Sequence, residues 1–201
     1  PTPRSSDLTS IDLSKANELR ELRVSENPIT SIDLSKATNL SVVWASYCKE
    51  LTTVNLENTQ NLTAISLQGT QITALNLSNS PNIRTLNVGE NQNLRTIDVT
   101  KLLFLEELWV NGNGIENLDV SKNPNLERLE CSQNNLTKLD VSHNPRIEFL
   151  SCWGNKLAGE SMDKLIASLA KETEGNEREF CVYNKLYDKE HNSLTVKQAT
   201  A

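Results

Sequence analysis

The chain has 201 residues, a net charge of −6 and only 4% aromatic residues, a size that suits one domain or a short repeat array. An acidic chain without a basic stripe argues against nucleic acid as a ligand. No apolar run approaches the roughly 18–20 residues that span a bilayer. The abrupt opening "PTPRSSDLTS" carries no signal peptide and reads as a mature or trimmed start.

From Leu8 onward one short frame recurs. Units begin at Leu8, Leu19, Ile29, Leu40, Leu51, Leu62, Ile72, Ile83, Leu94, Leu105, Ile115, Leu126, Leu136 and Ile147, always ten or eleven residues apart. Two kinds alternate. The A units are uniform ("ITSIDLSKA", "IENLDVSKN", "LTKLDVSHN"), whereas the B units vary ("LRELRVSEN", "LSVVWASYC", "LEELWVNGN", "IEFLSCWGN"). The true repeat is therefore an A–B pair of about 21 residues, and seven pairs fill residues 8–156. Positions four and six are apolar with a polar residue between them, the alternation of a strand. A strand this short buries its apolar side only when copies stack, so two short parallel strands per coil are expected, one from each unit.

Position nine is Asn in most B units (Asn27, Asn91, Asn113, Asn134, Asn155) and in two late A units (Asn123, Asn144). An inward amide there is expected to bond the backbone of neighbouring coils. Cys131 and Cys152 occupy position six of consecutive B units, where Val24, Leu67, Val88 and Val110 stand elsewhere. They read as buried core thiols. A disulfide between them is the alternative, disfavoured because parallel strands lie about 4.8 Å apart, slightly beyond the usual Cβ separation of about 3.5–4.5 Å. Cys48 fills the Asn position of its unit, and no zinc spacing is present.

After Leu157 the texture changes. "GESMDKLIASLAKET" places Met162, Leu165, Ile166 and Leu169 on one helical face. "REFCVYN" reads as a strand, "DKEHNSLT" as a solvated turn rather than a calcium loop, and "SLTVKQATA" as the start of a helix. Residues 157–201 are expected to cap the open end. No capping segment precedes Leu8, so upstream sequence or a second copy is expected to cover that edge.

The L-x-x-L-x-L-x-x-N frame resembles leucine-rich repeat proteins, and the doubled unit with L-x-x-L-x-C copies is similar to their nested two-strand (IRREKO-type) bacterial subclass. The phrase "LDVSKNPNLERLECSQNNL" is also similar to exported surface proteins of Gram-negative gut anaerobes. The resemblance implies an α/β leucine-rich repeat solenoid, a horseshoe-like right-handed superhelix with a C-terminal helix–strand cap. It also implies a place outside the cytoplasm, secreted or on the cell surface, with a lipid anchor upstream of Pro1.

Catalytic machinery is not expected. His143 and His191 are the only histidines, and no Gly-rich phosphate loop, G-x-S-x-G or H-E-x-x-H is present. No cofactor or metal is called for. The A units carry an outward column at position five, namely Asp12, Asp33, Asn55, Asn76, Asp98, Asp119 and Asp140. Lysines at position eight and donors at position seven are expected to compensate it, and the column reads as scaffold. The B units hold the candidate site. Position five supplies Arg23, Trp44, Asn87, Trp109 and Glu130, with Asn111 and Trp153 at position seven, Phe149 at position three and Tyr47 at position eight. Outward rings on rigid strands are typical anchors. Trp44 and Trp109 should stand about 14–15 Å apart, three coils along one column. The ligand expected is an extracellular protein or glycoprotein. A glycan, through ring stacking, is the first alternative, and a structural spacer presenting another domain is the second. Leu103 and Phe104 are expected to pack locally around a turn where Leu102 replaces the Asn.

Overall fold

The computed structural model describes residues 7–169 and 179–181. Every B unit forms one three-residue strand over its positions three to five. These are β1 (Glu21–Arg23), β3 (Val42–Trp44), β5 (Ala64–Ser66), β6 (Thr85–Asn87), β7 (Glu107–Trp109), β8 (Arg128–Glu130) and β9 (Phe149–Ser151). A units contribute β2 (Ser31–Asp33) and β4 (Thr53–Asn55). A helix, α1 (Glu160–Leu169), and a last strand, β10 (Glu179–Cys181), follow. The large sheet is parallel throughout, in the order β1-β3-β5-β6-β7-β8-β9-β10, and β2 pairs only with β4. Successive B strands pair like with like (Leu22 with Val43, Val43 with Ile65, Ile65 with Leu86), which sets one turn every 21 or 22 residues. Six such turns connect β1 to β9.

The core is the stack of positions one, four and six. Leu40, Val43, Leu62, Ile65, Leu86, Leu108 and Leu129 are fully buried, and Cys131 and Cys152 take their predicted places in it as buried thiols without a disulfide. Each B strand ends at a bend that only a left-handed residue can make. Position eight has positive φ in all seven coils: Glu26 (61°), Tyr47 (58°), Gly69 (65°), Glu90 (59°), Gly112 (65°), Gln133 (53°) and Gly154 (68°). Glycine suits that conformation, and the three glycines at this position are its trace in the sequence.

The bend turns position nine inward, where the expected ladder forms. The Asn134 amide donates to the carbonyls of Val110 (2.8 Å) and Cys131 (3.1 Å), and its oxygen accepts the Ile115 N–H at 3.0 Å. Asn155 repeats this one coil on, donating to Cys131 and Cys152 and accepting from Leu136. Cys48 keeps the donor function with a different atom, its thiol lying 3.1 Å from the Val24 carbonyl.

The A side departs from expectation. Among the described residues only β2 and β4 are strands there, so most coils carry one strand and not two. Across that pair the Leu34 N–H bonds the Asn55 carbonyl (3.0 Å), and the Asn55 amide donates to the Asp33 carboxylate (3.0 Å). Later coils bring Asp98, Asp119 and Asp140 together in the same column, and like charges placed side by side disfavour close pairing. Those coils keep rungs such as Gly114 N–H to Leu94 C=O (3.1 Å) and Asn135 N–H to Ile115 C=O (2.8 Å). In the A turns each N–H is consumed locally, as where Leu102 N–H bonds Val99 and Leu105 N–H bonds Leu102, both at 3.0 Å. Asn123 and Asn144 therefore donate their amides but leave both side-chain oxygens buried without a partner.

The predicted helix face is present. Met162 and Leu165 of α1 are buried against the last coil, with Ile166 and Leu169 partly so. The chain then returns to add β10 parallel to β9, matching Phe180 to Leu150. The helix expected in "SLTVKQATA" and the turn at "DKEHNSLT" lie outside the described residues.

Candidate interaction face

Outward residues of the B strands form continuous columns because the register never slips. Position five runs Arg23, Trp44, Ser66, Asn87, Trp109, Glu130, Ser151, each residue paired with its neighbours in that order. Trp44 and Trp109 therefore stand three strands apart, as the spacing predicts. Ser66 and Ser151 are buried in this column, so the half-buried rings of Trp44 and Trp109 rise beside low ground.

Several candidates are held by neighbours. Arg23 forms an ion pair with Glu21 on the same strand face. Asn87 accepts the Gly89 N–H (3.0 Å) and donates to Gln68, whose own amide donates to Glu90. Asn111 fits over Gly89, where an added Cβ would come within 2.6 Å of its side-chain oxygen. Glu130 accepts from the Ser132 N–H (3.2 Å) and hydroxyl. Phe149 carries the Arg128 guanidinium over its ring at 4.2 Å. Trp153 is half-buried at position seven, two coils from Asn111 in the same column.

Tyr47 is placed differently from the rest. It sits in the left-handed bend, 41% exposed, with its ring against Gly69 of the next coil, where an added Cβ would meet Cδ1 at 2.6 Å. Together with Glu26, Asn27, Pro28, Lys49 and Glu50 it edges a hollow of about 560 Å³ at the rim of the sheet.

The A column is chemically occupied. In every coil the position-five side chain accepts the N–H of position seven, from Ser14 on Asp12 (2.9 Å) through Glu57 on Asn55 (3.0 Å) to Ser142 on Asp140 (2.9 Å). These are Asx-turns. The Ser35 and Ser121 backbone N–H groups hold the carboxyls of Asp33 and Asp119 below their ordinary range, and the Thr100 and Ser142 hydroxyls lead the same effect on Asp98 and Asp140. Lys36, Lys101 and Lys122 add a weaker pull from nearby.

Two features were missed. Leu103 and Phe104 are 54% and 47% exposed. Leu102 does fill the inward site, but its two successors stand on the outside of the turn, as the same positions do in the other A units, with Arg84 lying 6.0 Å from the Phe104 ring. A groove of about 790 Å³ also runs where α1 passes the A units of the last coils, lined by Asp119, Lys138, Asp140, His143 and Lys164 among others. It depends on a helix whose position no repeat periodicity reveals. Among the described residues no three His, Cys, Asp or Glu side chains gather in a metal-holding group, and no helix is long and apolar enough to cross a membrane.

A family model described as Leucine Rich repeat matches residues 132–148. Solved structures share the fold over most of the chain. The functional domain of InlJ from Listeria monocytogenes, which includes a cysteine ladder, aligns with a TM-score of 0.63 at 24% identity, over 83% of this chain and 41% of that one. A leucine-rich repeat protein of Leptospira interrogans aligns at 0.67 and 20% identity, over 90% and 53%. YopM of Yersinia pestis, a leucine-rich effector protein, aligns at 0.62 and 21%, over 70% and 39%. This chain thus spans about half or less of the solved proteins it matches. No curated protein matches it.

Proposed function

We propose that this leucine-rich repeat solenoid, residues 8–156 with 157–201 as its capping region, is a non-enzymatic recognition module that binds a protein partner through its B face. It acts outside the cytoplasm, secreted or on a bacterial surface. One contrast carries the reading. On the A face the column of side chains is spent on the protein's own turns. On the B face, outward residues vary from coil to coil and project Trp44, Trp109 and Phe149 from a sheet of fixed register, with Trp153 just past the end of β9. Stacked repeats create extended binding surfaces, and rigid aromatic side chains serve as anchors at low entropic cost. The bacterial source of the structural neighbours supports the bacterial setting. Alternation of uniform A units with variable B units supports the nested subclass.

The test is a pull-down from mucosal surface extract with the protein and its Trp44→Ala/Trp109→Ala variant, using intact and enzymatically deglycosylated material. Capture that survives deglycosylation and weakens in the variant is the expected outcome. Capture abolished by deglycosylation moves the assignment to a glycan ligand. Equal capture by both proteins removes the B face from consideration.

A further inference from the structure

On the B face, positions two to five of the last three coils hold five carboxylates: Glu106, Glu107, Glu127, Glu130 and Glu148. Two have work within the protein. Glu106 pairs with Arg84, and Glu130 is held by Ser132. Glu107, Glu127 and Glu148 form no ion pair among the described residues. Arg128, the cation in their midst, lies over Phe149. The backbone stacks these acids directly, with the Glu148 N–H donating to the Glu127 carbonyl (2.9 Å) and the Glu127 N–H to that of Glu106 (2.8 Å). Like charges one strand apart repel, and here, unlike on the A face, no turn consumes them. The same positions of coils two and three carry no charge at all, and the first coil holds Arg20 beside the Arg23–Glu21 ion pair. The face is therefore polarised along its length. Its acidic end also carries Trp109, which pairs in register with Glu130 and stands two residues from Glu107, and it borders the exposed Leu103 and Phe104.

We propose that the last three coils of the B face dock an extended polypeptide segment bearing at least two lysine or arginine side chains, together with an apolar residue for the Leu103–Phe104 edge. The inference rests on the reading of the B face as a protein-binding surface. Carboxylates beside an exposed indole are complementary to cations, through the ion pairs and through the ring face. Two strand steps of about 4.8 Å separate the outer coils, a span of about three extended residues at roughly 3.3 Å each. Basic residues on one side of an extended segment recur about every 6.7 Å, and the length of their side chains lets neighbouring ones reach successive coils.

The probe is a dye-labelled octapeptide alternating lysine with leucine, with a glutamate-for-lysine counterpart, titrated by fluorescence anisotropy against the protein and its Glu107→Gln/Glu127→Gln/Glu148→Gln variant. Circular dichroism confirms that the variant is folded. The basic peptide is expected to bind and the acidic one to fail. Three exposed ion pairs of a few tenths of a kcal/mol each predict about a tenfold loss in the variant, and raising the salt should erase that difference. Equal affinity of protein and variant overturns the proposal. So does a response to calcium alone in place of the peptide, which would make the carboxylates a cation site. The pull-down separates the two readings. Capture weakened by the Trp44→Ala/Trp109→Ala substitutions but untouched by the glutamine variant keeps the face and removes the basic partner, whereas capture untouched by either removes both.

Discussion

Asn134 and Asn123 are both buried position-nine asparagines, and replacing each by leucine should give very different results. Asn134→Leu removes donors to Val110 and Cys131, but those carbonyls keep bonds from Asn113 (2.9 Å) and Asn155 (3.0 Å). What has no replacement is the acceptor for the Ile115 N–H, which is left buried and unbonded. An orphaned buried group costs about 1–3 kcal/mol. Asn123→Leu removes donors to Val99 and Leu102, whose carbonyls are still served by the turn N–H groups of Leu102 and Leu105. It also deletes a buried oxygen that has no partner, and leucine already stands at this position one coil earlier, as Leu102. The added volume penalises both variants similarly, so the difference isolates the orphaned donor. Asn134→Leu should be the less stable by about 2 kcal/mol, or roughly 4–8 °C in Tm for a chain of this size. Urea unfolding gives the energies, and native-state hydrogen exchange at the Ile115 amide identifies the cause, since protection there should fall in Asn134→Leu alone. Equal destabilisation by the two substitutions, with Ile115 protected in both, would refute the account of the ladder.

Gln133 holds the left-handed bend without a glycine, so Gln133→Gly should raise stability by about 0.5–1 kcal/mol, whereas Gly112→Ala should lower it by about 1–2 kcal/mol although nothing stands closer than 3.6 Å to the added Cβ; midpoints of denaturant unfolding measure both. The depressed carboxyls of Asp33, Asp98, Asp119 and Asp140 contribute stability that is present above their unfolded pKa of about 3.9 and lost as pH falls through the lower folded values. An Asp119→Asn variant keeps the turn acceptor, as Asn55 and Asn76 do, so it should match the parent at pH 7 and lose less stability in acid, as read from melting curves between pH 2 and 7. Burial, reinforced by Cys152 and Glu130, pushes the Cys131 thiol well above its ordinary range, so Cys131 should resist a water-soluble alkylating reagent until the protein unfolds, as followed by peptide mass analysis.

Much of this architecture is written in the period itself. A side chain that recurs every 21 or 22 residues at a strand position has only one stack to join, so the core leucines, the Asn ladder and the outward columns follow from the alignment of units. What the period leaves out is whatever a unit does alone. Strand pairing on the A side is not set by the period: the Asn55 amide bonds Asp33 where two units pair, three carboxylates follow one another in the last coils, and the Asn76 unit between them forms no strand either. Positions ten and eleven lie on the outside of the turn in every A unit, so Leu103 and Phe104 are exposed because this one unit places apolar residues there. The left-handed bend was legible in Gly69, Gly112 and Gly154, yet four other coils reach it with residues that conceal it. For the candidate site, the sequence gives the address of each side chain but not its occupation by a neighbour, as the Arg128–Phe149 stack shows.

The ladder of the B sheet is made by main-chain groups and the core by positions one, four and six, so side chains such as Trp44 and Trp109 hold neither in place. Exchanging Trp109 for another residue leaves Leu108 and Val110, and hence the coil, where they are. The face behaves like a sheet of graph paper with cells about 4.8 Å wide, on which characters can be rewritten one at a time without redrawing the grid. Selection for a new ligand can then proceed by single substitutions that cost almost nothing in stability. Gain of a whole coil lengthens the page by one line and keeps every existing line intact.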